Sequence, residues 1–286
     1  MTLKVARQIR AGNQAIGMQL SPRNDALWVL YRDPAALVEV PLESMQARRR
    51  IKLAQPPDGF DLSTLGQAAV ASRQQRSITL LSLDSGALVR TIEVGAEPSI
   101  VQFQSDGKQL LSASGPDRDI TIFDVPTGKT VVRLPLPIEP RQFAFTSDGG
   151  QLFLTGEGMD AVVVVYPYQT EVAQTLLAGH APEAMAITPS DVAPQYLLVA
   201  NPQSNGLTVL DVETGRLVAV VQVGQRPRRI VLTPDGQYAL VLNETSGDLA
   251  VVRISALTPK QYRPPAPLFT MIAVGDRPVD AAVVTL

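Results

Sequence analysis

Short apolar runs alternate with turn residues along nearly the whole chain. The stretch from Leu207 to Asn243 shows this most clearly, with four runs of about five to seven residues that are rich in Val, Leu and Ile. Three turn segments, 211–215, 224–227 and 233–236, separate these runs and contain Asp, Thr, Gly and Pro. Such runs between such turns predict short antiparallel strands. The 3.6-residue period of amphipathic helices is absent, which excludes helical repeats.

The turn segments recur at a regular spacing. A Gly-x-x-Pro bend or a weaker equivalent occurs near residues 12, 54, 95, 137, 179, 224 and 275, at intervals of about 41 to 51 residues. A period near 42 with four short strands per unit is typical of β-propeller blades. We therefore predict an all-β protein with a single β-propeller domain over residues 1–286. The predicted four-stranded blades are 12–53, 54–94, 95–136, 137–178, 179–223 and 224–274.

The two ends of the chain predict part of one more blade. Residues 1–11 resemble an outer strand and 275–286 an inner strand, so we expect six complete blades and a remnant seventh closed by strands from both termini. The alternative is a six-bladed ring. Because the chain starts within a repeat, we also expect it to be a fragment of a longer protein or to have a misassigned start.

The spacing of the turn residues within one unit points to a family. The pattern D-x-x-T-G, then V-G-x-x-P, P-D-G and a final Asn resembles the YVTN-type β-propeller repeat. The residues that carry it are Asp211, Thr214, Gly215, Val223, Gly224, Pro227, Ile230, Pro234, Asp235, Gly236 and Asn243. The match is strong here and from Asp84 onward, and faint before about residue 70. The tetrad Tyr-Val-Thr-Asn itself is absent.

The resemblance implies several functions. Propellers similar in repeat type include lactonases acting on sugar lactones, cofactor-bearing subunits of periplasmic oxidoreductases, and surface-layer modules. It also implies a periplasmic or cell-surface location, although the N-terminus carries no signal-peptide pattern. The aspartates of the repeat have a structural explanation, because their carboxylates can accept turn N–H groups.

Composition narrows the candidate chemistry. A formal net charge of −2 gives no reason to expect nucleic acid as a partner, and no apolar run is long enough to cross a membrane. The chain has no Cys and a single His, so we expect no metal site and no cofactor. No nucleophile elbow, zinc motif, phosphate loop or dinucleotide fingerprint is present. We therefore predict no catalytic residues.

Propeller geometry indicates where a ligand would bind. The loops that join strand b to c, and strand d to the next strand a, reach one face. We predict binding of a small anionic or zwitterionic ligand there, and the alternative is a set of solvated charges in mutual salt bridges. The candidate residues are Arg141, His180, Glu183, Arg226, Arg228, Arg229 and Arg277.

A proline-rich insertion gives a second candidate surface. Residues 255–268 lengthen one connection, and Tyr262 and Arg263 within it suit the groove of a protein partner. The main functional prediction is a non-catalytic scaffold that presents a loop-lined face to a protein or a small ligand. The alternatives are a lactonase-like hydrolase, a cofactor-bearing oxidoreductase subunit, and a surface-layer structural module. The oligomeric state cannot be derived from these residues.

Overall fold

The protein is built from short strands, as the alternation of apolar runs and turns predicts. The computed structural model describes residues 14–166, 171–191, 194–257 and 266–284. The chain divides into two compact units, Met1–Glu139 and Pro140–Leu286. Each is described by itself below.

The first unit contains three four-stranded sheets, each with its strands in chain order. We number them sheets 1 to 3 and name the strands of every sheet a to d. Sheet 1 contains β1 (Ala15–Leu20), β2 (Ala26–Tyr31), β3 (Ala36–Pro41) and β4 (Arg49–Lys52). Sheet 2 contains β5 (Gly59–Leu62), β6 (Gln67–Ser72), β7 (Ser77–Ser82) and β8 (Leu88–Glu93). Sheet 3 contains β9 (Pro98–Phe103), β10 (Gln109–Ser114), β11 (Asp119–Asp124) and β12 (Thr130–Pro135).

The second unit repeats this arrangement in sheets 4 to 6. A short 3₁₀ helix, η1 (Ile254–Leu257), follows its penultimate strand. Sheet 4 contains β13 (Glu139–Phe145), β14 (Leu152–Glu157), β15 (Ala161–Val165) and β16 (Val172–Leu177). Sheet 5 contains β17 (Met185–Ile187), β18 (Tyr196–Asn201), β19 (Gly206–Asp211) and β20 (Leu217–Gln222). Sheet 6 contains β21 (Pro227–Leu232), β22 (Tyr238–Asn243), β23 (Asp248–Arg253) and β24 (Leu268–Ala273). The six four-stranded sheets confirm the predicted number of complete blades.

The core consists of apolar layers between consecutive sheets. In the first unit, one layer joins Ile78 and Leu80 of sheet 2 to Phe103 and Leu110 of sheet 3. The middle strands are covered on both faces, which explains why their sequences are continuous apolar runs rather than alternating ones. All six residues of β18 are buried, for example. Strand d lies at the sheet edge and is mostly exposed.

The turns use the chemistry that their sequences predict. The carboxylate of Asp211 accepts the backbone N–H of Thr214 at 2.7 Å and its hydroxyl at 2.7 Å. Gly215 then adopts a φ of 68°, in the left-handed region that favours glycine. Asp124 and Thr127 repeat this arrangement in sheet 3. These aspartates therefore hold the c–d turns.

The strands predicted to close the ring are not among the twenty-four described strands. Residues 275–284 form no strand with the described part of the chain, and the closing strands at 1–11 and 275–286 stay a prediction. The predicted strand at 1–11, like Tyr262 and Arg263 of the predicted partner loop, lies outside the described residues. No helix in the described part of the chain is long and apolar enough to cross a membrane.

Candidate functional site

The b–c turn of each sheet lies beside the bend that follows strand d, because adjacent strands are antiparallel. In sheet 4 this brings Asp160 next to the bend that contains His180 and Ala181. Asp160 Oδ2 lies 3.0 Å from His180 Nδ1, and its Oδ1 accepts the Ala181 N–H at 2.9 Å. In sheet 5, Asn205 Oδ1 accepts the Arg226 N–H at 3.0 Å in the same way. A side chain from the b–c turn therefore fixes each bend.

The bends have an unusual backbone. Ala181, Arg226 and Arg277 each precede a proline and have φ values of 51°, 57° and 49°. Residues before proline normally adopt extended conformations, and non-glycine residues rarely have positive φ. The hydrogen bonds from Asp160 and Asn205 compensate for part of this strain at the first two positions.

The predicted cationic residues are almost all paired with carboxylates. Arg141 pairs with Glu157, and Arg229 Nε lies 2.7 Å from Asp280 Oδ1. Within the described part of the chain, Arg277 has no ion pair. The predicted set is thus distributed along the bends, and its charges are largely neutralised.

Arg228 joins the remaining candidates into a chain of charges. Its Nε lies 3.4 Å from Glu183 Oε2 and its Nη1 lies 3.5 Å from Glu244 Oε2. Arg226 Nε also lies 3.0 Å from Glu244 Oε2. These side chains are about one-third to one-half exposed, so each pair contributes little to stability.

Part of this pairing follows the sequence repeat. Pro140-Arg141 and Pro227-Arg228 occupy equivalent positions, and each arginine pairs with a glutamate sixteen residues later. Glu157 escaped the sequence analysis, although this shared spacing would have identified it. Sheet 5 departs from the pattern, because Glu183 follows the equivalent Pro182.

A cleft opens where this departure occurs. It has a volume of about 360 Å³ and lies between the b–c turn of sheet 4 and the bend at Ala181. The lining residues are Arg141, Gly156, Glu157, Gly158, Met159, Asp160, Ala181, Pro182 and Glu183. Two of the predicted site residues, Arg141 and Glu183, line the cleft, and His180 lies at its edge. Arg226, Arg228, Arg229 and Arg277 do not line it.

The electrostatics of the cleft are governed by carboxylates. Three acidic side chains and one arginine line it. The hydrogen bond with Asp160 raises the pKa of His180, which is exposed. The N–H of Ala181 and then the imidazole of His180 lower the pKa of Asp160. Asp160 is therefore ionised at neutral pH, and His180 holds its proton more strongly than a free histidine.

The described residues contain no group of three or more His, Asp or Glu side chains that could hold a metal ion.

One further carboxylate escaped the sequence analysis. Asp61 on β5 accepts Gln19 Nε2 of β1 at 3.0 Å and the Phe103 N–H of β9 at 2.7 Å. It thereby links strand a of sheets 1, 2 and 3. Burial raises the pKa of Asp61 to about 6 despite these hydrogen bonds. Its sequence signal was a lone acid in the short run GFDL.

Comparisons with known structures show what this fold is. Hydrazine synthase of Kuenenia stuttgartiensis superimposes with a TM-score of 0.80 at 12% identity, over 97% of this chain and 92% of that chain. The β-propeller domain of Cps50 (Swd1) from Myceliophteria thermophila superimposes with a TM-score of 0.76 at 15% identity, over 94% of this chain and 88% of that domain. The chain is a β-propeller. At these identities the likeness concerns the fold alone.

A sequence-family comparison adds one partial match. The family described as "Lactonase, 7-bladed beta-propeller" matches residues 138–263, which include the cleft and the bend at Arg226. This is less than half of the propeller. No curated protein sequence matches the chain.

Proposed function

We propose that this propeller is a non-catalytic scaffold that binds a small, neutral, hydroxyl-bearing ligand in the cleft beside Glu183. The observation that carries the proposal is the contrast between sheet 5 and the other two sheets of the same unit. Sheets 4 and 6 place an arginine after the bend proline and neutralise it locally, whereas sheet 5 places Glu183 there, and the adjoining cleft is open. Residues that break a local sequence pattern are expected at functional sites.

The charge of the cleft determines the class of ligand. Arg141 is paired with Glu157, and Glu183 is paired with Arg228, which does not line the cleft, so the described lining residues offer an anion no unpaired cation. Ionised carboxylates accept hydrogen bonds, and hydroxyl groups donate them. A polyol or a sugar derivative therefore fits better than the anionic ligand expected from the sequence.

Binding can be tested on the intact protein. We expect a panel of monosaccharides, polyols and sugar lactones to include a ligand whose affinity, measured by titration calorimetry, falls about tenfold in Glu183→Gln, because a charged hydrogen-bond acceptor is lost. Glu213→Gln is the matched control, since Glu213 is exposed in a c–d turn at the other end of its sheet. Absence of binding across the panel would contradict the proposal.

The second candidate function is hydrolysis of a lactone. It is supported by the family match over residues 138–263 and by the pair formed by His180 and Asp160 at the cleft edge. Neutral His180 could act as a general base that takes a proton from an attacking water, with Asp160 orienting the ring. No Ser, Thr, Tyr or Lys lines the cleft, so a covalent route through such a nucleophile is not favoured.

Turnover assays separate the two functions. If the protein hydrolyses lactones, His180→Ala should reduce kcat by about 100-fold or more, which is the usual contribution of a general base. Glu213→Gln should leave kcat unchanged. A wild-type protein that binds a lactone without hydrolysing it supports the non-catalytic scaffold.

A further inference from the structure

One buried position distinguishes sheet 1 from every other sheet. The fourth residue of strand c is buried in all six sheets. These residues are Glu39, Leu80, Ile122, Val164, Val209 and Val251. Five are aliphatic and one is a carboxylate that is only 4% exposed. Because the other sheets form with an aliphatic residue here, the fold does not require Glu39.

The row of residues across sheet 1 is specialised around this glutamate. Trp28, the sole tryptophan, is its cross-strand neighbour on β2, and Arg49 is its neighbour on β4. The equivalent row of sheet 2 contains Ala69, Leu80 and Arg90. A buried acid and a large aromatic ring therefore replace two aliphatic residues.

Two arginines share the single carboxylate of Glu39. Arg48 donates from Nε and Nη2 to the two oxygens, and Arg49 Nε donates to Oε2 at 3.2 Å. Arg49 also donates to the backbone carbonyl of Asp84, and its guanidinium lies 5.6 Å from the centre of the Trp28 ring. Glu39 and Trp28 thus fix the orientation of both guanidinium groups, and their other N–H groups remain available.

A cleft of about 300 Å³ lies at this cluster, between sheets 1 and 2. Trp28, Glu39, Arg48 and Arg49 line one side, and Asp84 is among the residues of sheet 2 that line the other. The cleft is formed by a–b and c–d turns, so it lies at the end of the sheets opposite to the b–c turns. It shares no lining residue with the cleft beside Glu183.

The charges of the cleft are balanced but separated. Arg48 and Arg49 together exceed Glu39 by one positive charge, while Asp84 is exposed beside Arg49 and negative. Arg23 and Asp25 of the a–b turn also line the cleft, and their charges cancel. We propose that this cleft binds a small zwitterion, with its carboxylate on Arg48 and Arg49 and its ammonium group on Asp84. A guanidinium pair held in place presents parallel N–H donors to a carboxylate.

The cost of Glu39 supports a role in binding. Burial of a carboxylate between two arginines is generally no more stabilising than an aliphatic side chain of similar volume, because the charges lose their hydration. Leu80 shows that such a side chain packs at the equivalent position. Glu39→Leu leaves Arg48 and Arg49 without this carboxylate, but their side chains are 61% and 30% exposed and can be hydrated. The variant should therefore fold with a melting temperature close to that of the wild type.

Trp28 provides a direct measurement, because it is the sole tryptophan and lines the cleft. The intact protein is titrated with each of the twenty standard α-amino acids, with acetate and methylamine as singly charged probes, and tryptophan fluorescence is recorded. We expect a saturable change with at least one amino acid. The affinity should fall about tenfold or more in Glu39→Leu and in the exposed variant Asp84→Asn.

Arg90→Gln is the matched control. Arg90 occupies the position of Arg49 in sheet 2 and also donates to a carbonyl of the next c–d turn, but its row contains no carboxylate on strand c. Affinity should be unchanged in this variant and in Glu183→Gln. The proposal is overturned if no amino acid binds, if Glu39→Leu and Asp84→Asn bind as tightly as wild type, or if acetate binds as tightly as the best amino acid.

Discussion

Asp61 is a single carboxylate that links three strands, and its ionisation opposes folding. Its pKa is raised to about 6 from an ordinary value of 3.8, so the folded state binds a proton more tightly than the unfolded state between these pH values. Stability from this group is therefore complete below about pH 4 and is lost as pH rises through 6. A shift of this size corresponds to about 3 kcal/mol.

The prediction for Asp61 concerns the pH dependence of unfolding. Between pH 4 and pH 7, the free energy of unfolding should fall by up to about 3 kcal/mol more in wild type than in Asp61→Asn, as measured by urea denaturation. Asp235→Asn is an informative control, because hydrogen bonds from Thr233 and Gln237 lower the pKa of that exposed carboxyl. Asp235→Asn should therefore lose less stability than the wild type as the pH falls, which is the opposite dependence. Parallel curves for wild type and Asp61→Asn would contradict the prediction.

His180 allows a second prediction at the scale of one residue. It is the sole histidine, so an NMR titration of its imidazole protons gives one unambiguous curve. Because Asp160 raises the pKa of His180, Asp160→Asn should lower that pKa toward its ordinary value of 6.5. Asp191→Asn, elsewhere in the same unit, should leave the curve in place. If the lactone-hydrolase function holds, the pH midpoint of kcat should move down with the pKa.

At the scale of the element, the repeat motif has a steric explanation. A Cβ atom added to Gly224 would lie 2.5 Å from Asn243 Nδ2 and 2.6 Å from both Asp248 Oδ1 and Ser246 Oγ. Asn243 ends strand b of sheet 6 and bonds to Asp248 at 2.7 Å. The glycine of the bend and the asparagine that ends strand b therefore depend on each other. Gly179 and Asn201 form the same pair in the preceding repeat.

Gly224→Ala should consequently destabilise the propeller. The new methyl group must displace three hydrogen-bonding side chains, and such overpacking costs about 1–3 kcal/mol. Gly115→Ala is the control, because a Cβ there has no heavy atom within 4 Å. Thermal or urea unfolding gives the comparison. Equal stability of the two variants would show that the cluster around Asn243 relaxes freely.

The regular spacing of turns and strands explains which features of the fold could be predicted from the sequence. Turn geometry and strand length act locally, so Asp211, Gly215 and the Asp-Gly turns were identifiable from spacing alone. Which charges neutralise each other depends on how neighbouring strands pair, since Arg141 lies on strand a of sheet 4 and Glu157 ends strand b. For that reason Arg141 was predicted as a ligand-binding residue while its partner Glu157 was missed. A residue such as Glu39 carries a local signal, a lone acid in an apolar strand, but its partners Arg48 and Arg49 become evident only from the pairing of β3 with β4.

At the scale of the whole molecule, the repeat predicted the β-propeller fold and the six complete blades, but the ends of the chain were less predictable. Residues 275–284 contain the apolar positions of a strand, yet they form none with the described part of the chain. A strand also needs neighbours for its backbone groups, and a pattern along one segment does not specify them. The candidate site was predicted at the b–c turns and the bends, and its net charge depends on pairings that only the folded chain brings together.

All six blades share a gradient of burial, and this gradient predicts their local stability. Strand b and strand c have hydrogen-bonded neighbours on both sides, whereas strand d has one. In sheet 4, every residue of β15 is buried, while none of β16 is.

Amide hydrogen exchange, followed by mass spectrometry of peptides, should be at least about tenfold slower in β15 than in β16, because edge strands open without global unfolding. The same contrast is expected between β19 and β20. Equal protection of strands c and d would mean that each blade opens only as a unit, and would contradict this expectation.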